Sequence, residues 1–414
     1  MSEAKQGRLR RGVGLTAEEM RHVLGLSGVF SLRLLGLFLV LPVLSVYALS
    51  LKGATPFLAG LTVGFYGLAQ LMMQVPSGVL SDRLGRKPVI VAGLAVYATG
   101  SLVAATSHGI YGLLAGRFIQ GCGAIASVVL ALITDLTRDE VRGRAMAMVG
   151  IGIGMSFMVG FGAGPLLAAR YGVPFLFFIV AGLDTLAIAY LLGFVPSPPT
   201  RRGSTASMRD LGAILSDRNL VSLYAVMFIL HLGLTAVWVV TPKILLERWD
   251  QRHVWHVYLP MILIAGLLML PAMGLAEAKQ RLRTLLAVGM AIGAAGLLAM
   301  ALAGGAPKAT AIGLVVFFVG FNLIEPVLPS LVSRFAPADR RGSAMGFFNM
   351  SQFTGAFCGG ALGGFALGHG RSVLYWVLLA ACVPWAWLAS RVEAPPLRKP
   401  AEDLEADIAA AEGA

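Results

Sequence analysis

Four ionisable side chains lie well inside long apolar runs of this sequence: Arg33, Arg117, Asp184 and Glu325. A charge in hydrocarbon costs several kcal/mol, so each is expected to face the interior of a helix bundle and to be paired. Glu325 is followed by Pro326, with Pro329 beyond. Proline frees backbone carbonyls and can kink a helix. A carboxylate desolvated at such a point suits the binding and release of a proton near neutral pH. The opposing reading is a fixed ion pair with Arg33, which would keep Glu325 charged. His231 lies mid-run, and histidine titrates near physiological pH; its other reading is a hydrogen-bonded structural role. His253-Val254-Trp255-His256 offers two imidazoles without an evident third ligand, so no metal site is expected. No Gly-Lys dipeptide occurs, hence no Walker A loop and no ATP drive from this chain. The expected energy source is an ion gradient, and no resident cofactor is expected.

The elements that position these groups follow from composition. Of 414 residues, 57% are hydrophobic and 13% charged. Mean hydropathy is +0.78. Too few charges are present to cover a soluble fold of this length, which excludes a soluble enzyme, a disordered chain and a disulfide scaffold. The apolar runs are near twenty residues long and do not alternate. They predict an all-α membrane protein with twelve transmembrane helices rather than a β-barrel. The net charge of +12 is read as loop anchoring, not nucleic-acid binding. Basic clusters recur in alternate loops, at Arg83, Arg86 and Lys87, at Arg138, Arg142 and Arg144, at Lys279, Arg281 and Arg283, and at Arg334, Arg340 and Arg341. The intervening loops carry fewer, as for Lys52, Arg170 and Lys308. By the positive-inside rule both termini are cytoplasmic. The predicted organisation is a basic cytoplasmic N-terminus (1–21), a six-helix bundle (22–195), a cytoplasmic linker rich in Pro and Arg (196–218), a second six-helix bundle (219–392) and a cytoplasmic tail (393–414). The run after the basic N-terminus is too long for the apolar core of a cleavable signal peptide. Cys122, Cys358 and Cys382 all fall in apolar runs and form no redox or metal pattern.

The two halves repeat. Arg142-Gly143-Arg144-Ala145-Met146 matches Arg341-Gly342-Ser343-Ala344-Met345. At the same offset Gly160 pairs with Gly359 and Gly164 with Gly363, while Asp139 and Asp339 lie close to matching positions. Repeats of this kind characterise secondary transporters with a substrate site between the halves near mid-membrane.

Three strings carry a family resemblance. Gly78-Val79-Leu80-Ser81-Asp82-Arg83-Leu84-Gly85-Arg86-Lys87 resembles the loop between the second and third helices of the major facilitator superfamily. Arg117-Phe118-Ile119-Gln120-Gly121 is similar to that family's fourth-helix element. Gly160-Phe161-Gly162-Ala163-Gly164-Pro165 is similar to the glycine-proline motif of its antiporters, although Ala168-Ala169 stands where that motif has a glycine pair. Further strings, Ser31 to Gly36, Phe321 to Glu325 and Gly346 to Phe353, resemble most the YajR-type branch of drug:proton antiporters.

The resemblance implies two pseudo-symmetric six-helix bundles that rock about a midplane site. It implies that Gly78, Asp82, Arg83, Gly85, Arg86 and Lys87 form a cytoplasmic gate. There Asp82 meets the start of span eleven near Gly342, and Arg83, Arg86 and Lys87 join Asp135 and Arg138 in a charge network. Glu277 to Arg283 would be the weaker counterpart. It links Arg117 to proton coupling, against structural hydrogen bonding to backbone carbonyls. Arg33, Glu325 and Asp184 complete the coupling candidates, although the sixth helix of the fold is peripheral. Gly160, Gly164 and Pro165 are assigned to helix packing. The implied cavity is lined from Phe38, Tyr66, Gln70, Gln120, His231, Trp238, Asn322, Phe347, Asn349 and Phe353, an aromatic wall with a few polar groups that suits a lipophilic ligand. The expected protein is a monomeric multi-pass transporter of the bacterial inner membrane. Its expected partners are the lipid bilayer, a small-molecule substrate and protons, with no nucleic acid. Proton-coupled efflux is the leading reading. The alternatives are a narrow-specificity metabolite or sugar carrier and a non-transporting receptor.

Overall fold

A computed structural model describes residues 14–138, 141–196, 212, 214–337 and 340–393. Most of the N-terminal stretch, the linker and the tail, together with Asp139 and Asp339, lie outside the described residues. The described residues form fourteen helices of nine residues or more and no strand, only an isolated bridge at Lys52 and Gly109. They are α1 (Ala17–Leu49), α2 (Pro56–Leu84), α3 (Arg86–Ala105), α4 (Ile110–Cys122), α5 (Ala126–Asp135), α6 (Arg142–Tyr171) and α7 (Val173–Phe194). The second half follows with α8 (Arg218–Leu245), α9 (Trp255–Ala278), α10 (Leu282–Leu302), α11 (Pro307–Ile324), α12 (Val327–Phe335), α13 (Arg341–His369) and α14 (Arg371–Ser390). Helices α4 and α5 are one span broken at Gly123 to Ile125, and α11 and α12 are one span broken at Glu325 and Pro326.

Local chemistry sets the ends. Thr16 and Glu19 form a reciprocal capping box on α1. Thr55 caps α2, whose first residue is Pro56. Asp217 caps α8 through the N–H groups of Asn219 and Leu220. Gly85 (φ +93°), Gly172 (φ +83°) and Gly370 (φ +149°) each serve as the single residue between two spans. A side chain there would meet the left-handed-region penalty.

Eleven of the twelve expected spans are long and apolar enough to cross a membrane. The exception is α13. It is 29 residues long but carries Ser343, Asn349, Ser351, Gln352, Thr354 and many glycines. The physical reason is its position: α13 is packed between α8 and α2, so it meets protein where other spans meet lipid. Small residues let those backbones approach.

In the first half α1 packs on α6 and α7, α2 on α4, and α3 on α4 and α7. In the second, α8 packs on α13 and α14, α10 on α11 and α14, and α9 on α11. The internal repeat is visible in this packing. Gly160 and Gly164 of α6 lie against Phe38 and Leu39 of α1, and Gly359 and Gly363 of α13 lie against Leu232 and Val239 of α8. Each glycine pair seats its helix on the first span of its own half.

The halves meet through α2 with α13, α6 with α9, and α1 with α8. The contact is one-sided. Gly60 and Gly64 of α2 abut Gly360, Gly364 and Phe357 of α13 without room for a methyl group. At the other end of the same helices, Gly78, Gly342 and Gly346 have nothing within 4 Å of where a Cβ would stand. The halves are therefore joined at the end far from Asp82 and parted at the Asp82 end.

Candidate coupling site and gates

The two broken spans, in corresponding positions of the two halves, build one polar cluster each. In the first half the break at Gly123 leaves its carbonyl free of the helix ladder. Arg33 Nη2 donates to that oxygen at 2.9 Å and to the Tyr66 hydroxyl at 3.3 Å. The Arg33 guanidinium also lies 4.9 Å from the Tyr97 ring centroid. Gln70 Nε2 donates to the same Tyr66 oxygen at 3.2 Å. Arg117 donates from Nε to the Thr62 carbonyl at 3.0 Å and from Nη1 to Gln120 Oε1 at 2.7 Å. Gln120 Nε2 in turn donates to Ser101 Oγ at 2.7 Å. Asp184 is 1% exposed and neither carboxylate oxygen has a hydrogen-bond donor. Its helix lies at the side of the half, as expected, but this residue faces inward, toward α1 and α3, on which α7 packs.

In the second half Glu325 stands at the break itself, as the cap of α11. One carboxylate oxygen is 3.8 Å from His231 Nε2, and the Glu325 side chain keeps 35% of its surface accessible. Its other oxygen has no hydrogen-bond partner. His231 Nε2 is also 2.8 Å from the Gln352 amide. Asn322 Nδ2 donates to the Phe318 carbonyl at 2.9 Å.

Several expectations change here. Glu325 makes no ion pair with Arg33, which is engaged by a backbone carbonyl and a tyrosine in the other half. Gln120 is buried between Arg117 and Ser101, and Gln70 is buried against Tyr66, so neither lines an open cavity. Trp238 is 2% exposed and belongs to an aromatic seal. Phe157 stacks on Phe161 at 4.2 Å and on Phe318 at 5.4 Å. Trp238 meets Phe161 edge-on at 4.7 Å and Tyr258 at 5.4 Å. Phe38 meets Phe157 at 4.8 Å. These rings come from α1, α6, α8, α9 and α11, and so from both halves. Together with the α2–α13 glycine contact they join the halves at the far end. Phe347, Asn349, Asn322 and Tyr66 remain half-buried, as does Phe353, whose backbone lies against Gly67.

The Asp82 loop is also arranged differently from expectation. Asp82 pairs with Arg86 at 2.6 Å, not with the start of α13. Arg86 also reaches Ser81 Oγ at 2.5 Å and Asp135 at 3.4 Å. Lys87 donates to the carbonyls of Leu192 and Val195 at 3.2 and 2.6 Å, where a cation complements the end of α7. Arg138 turns away from Arg86 to Glu19, with contacts at 2.9 and 3.0 Å. Arg83 is exposed. The reason is the parting of the halves: with α13 out of reach, Asp82 takes the nearest cation, one turn on. Sequence reading missed Glu19, Gln352, Ser101 and Tyr97. The Thr16-x-x-Glu19 spacing was the available signal for Glu19. Nothing local singles out the others.

Residues 26–359 and 255–411 match the family model described as "Major Facilitator Superfamily". The chain belongs to that superfamily. Members are transporters, and this chain is a multi-pass membrane transporter, not an enzyme. It is 39% identical over 388 residues to an Escherichia coli protein named inner membrane transport protein YajR, covering 92% of this chain and 85% of that one. It is 25% identical over 367 residues to a multidrug resistance protein, MdtH, of Cronobacter sakazakii, covering 86% and 88%. Among solved structures, a bacterial homologue of the human lysosomal transporter Spinster aligns with a TM-score of 0.75 at 14% identity, over 92% of this chain and 98% of that one. The nucleoside transporter NupG aligns at 0.73 and 14% identity, over 89% and 98%. At such identities these likenesses concern the fold alone.

Proposed function

We propose that this major facilitator exports a small lipophilic compound across the bacterial inner membrane in exchange for protons, by alternating access. The observation that carries this reading is Glu325. It is an ionisable group at a helix break, with one oxygen near His231, the other buried and unpartnered, and a side chain that keeps part of its surface accessible. It is also free of the fixed arginine pair that would have prevented titration. Proton uptake by Glu325 neutralises a charge that the surroundings solvate poorly, since His231 at 3.8 Å is the one basic group paired with it among the described residues and its other oxygen has no donor.

The two buried arginines find their partners within the first half, which leaves the half-buried Phe347, Phe353 and Tyr66 with amide groups at Asn322 and Asn349 as the candidate lining. That surface fits a lipophilic compound better than a multiply charged anion. The name of the MdtH relative, a multidrug resistance protein, agrees with a drug-like substrate. In this state the Asp82 end is parted, and it is taken as cytoplasmic from the basic loops.

The test is proton movement in everted vesicles containing the protein, with cationic, neutral and anionic lipophiles added in turn to wild type and Glu325→Gln. Compound-dependent proton release in wild type and none in the variant is expected. Equal release in both would remove Glu325 from coupling. No release with any compound would favour a narrow-specificity metabolite carrier.

A further inference from the structure

A groove of about 780 Å³ runs between α10 and α14, outside the space between the halves. One wall is Ala287, Ala291 and Ala294 of α10, and the facing wall is Cys382, Ala386 and Ala389 of α14. In both helices the spacing is four and then three residues, so each set shares one face. At its mouth stand Arg281 and Arg283, both exposed. Arg283 Nη2 reaches the Ser390 carbonyl at 3.4 Å, which places the start of α10 level with the end of α14.

Two independent features fix the depth. Trp387, 54% exposed, carries the Arg391 guanidinium 4.0 Å over its ring, an aromatic and a cation of the kind that mark a membrane–water interface. Arg283 lies at that level. From Arg283 to Ala294 the helix descends about 16 Å at 1.5 Å per residue, and one leaflet's hydrocarbon is about 15 Å deep. Flanking side chains face outward: Val288 is 45% exposed and Val383 73%. The groove is thus cationic at headgroup level and apolar through one leaflet.

The geometry points to a binding site for one anionic phospholipid, its phosphate on Arg281 and Arg283 and an acyl chain between α10 and α14. The site lies at the same end of the molecule as Asp82, because the α9–α10 and α2–α3 connections are separated by an even number of spans. A lipid seated there contacts α10 and α14, the pair that borders the second half, and leaves the Glu325 region untouched.

The test is native mass spectrometry of the full-length protein, titrated with phosphatidylglycerol and with phosphatidylcholine of the same chains. Wild type is expected to retain phosphatidylglycerol in preference. In Arg281→Gln/Arg283→Gln that preference should fall roughly 30-fold, from two interfacial cations. Ala291→Phe keeps both arginines but fills the groove, and should reduce retention of phosphatidylglycerol. Because position 291 is open to the groove, this variant is expected to fold, which an unchanged gel-filtration profile checks. Equal retention of the two lipids by wild type overturns the site. So does a preference unchanged in the double variant, or displacement of the lipid by glycerol 3-phosphate at matching concentration, which would mark a phosphate site without a chain slot.

Discussion

At the level of single residues, Arg117 and Glu325 are held in opposite ways. Arg117 is fully employed: the Thr62 carbonyl and Gln120 hold it, and Ser101 holds Gln120. Arg117→Leu is expected to leave Gln120 Oε1 without its donor, at about 1–3 kcal/mol, and to lower the thermal midpoint in detergent by a few degrees. An unchanged midpoint would show that water replaces the guanidinium. Glu325 is only partly employed, with one oxygen near His231 and the other bare. His231→Asn should therefore leave the fold intact and shift the pH at which compound-dependent proton release is half-maximal. If that profile is unmoved while Glu325→Gln is inactive, His231 plays no part in setting the proton affinity. The charges themselves were legible in the sequence because an ionisable group in an apolar run is conspicuous. Their partners were not, since Gly123, Gln352 and Tyr97 are remote in the chain and ordinary in type.

At the scale of elements, the decisive pair is α2 with α13. Their glycines face one another over Gly60 to Gly67 and Phe353 to Gly364, and a Cβ at Gly60 would collide with the backbone of Gly360 and Gly364. Gly60→Val should prevent the far end from closing. The measurement is labelling of a cysteine introduced at Phe57 by a membrane-impermeant reagent in a cysteine-free background, with faster labelling expected in the variant. Equal labelling would mean that the aromatic seal at Phe157, Phe161 and Trp238 suffices. The repeat in sequence anticipated that Gly160 and Gly359 do equivalent work, and their packing agrees. It did not anticipate that α13 lacks the hydropathy of a lipid-facing span, because hydropathy reports exposure to lipid and α13 is enclosed by α2 and α8.

At the scale of the whole molecule, this state is joined at one end and parted at the other. Asp82 pairs with Arg86, and Gly342 has no neighbour within 4 Å of its would-be Cβ. Alternating access requires a second state in which the Asp82 end closes and α13 reaches the α2–α3 loop. Spin labels at Val79 and Met345, which flank the parted ends of α2 and α13, should show two distance populations by pulsed electron resonance. Asp82→Asn should deplete the shorter one, because an amide gains less than a carboxylate from the start of α13. A single long distance under all conditions would count against the rocking motion.

The class, the family, the number of spans, the repeat and the identity of the intramembrane charges were all legible in the order of the residues. Each of these depends on hydropathy, glycine spacing or motif, which are properties of neighbours in the chain. Which groups meet required the folded chain: Arg33 with Gly123 and Tyr66, Glu325 with His231, Asp82 with Arg86. The fold also decided which end is closed. Those outcomes depend on how residues far apart in the chain, and the two halves, sit against each other, so no pattern local to the sequence sets them.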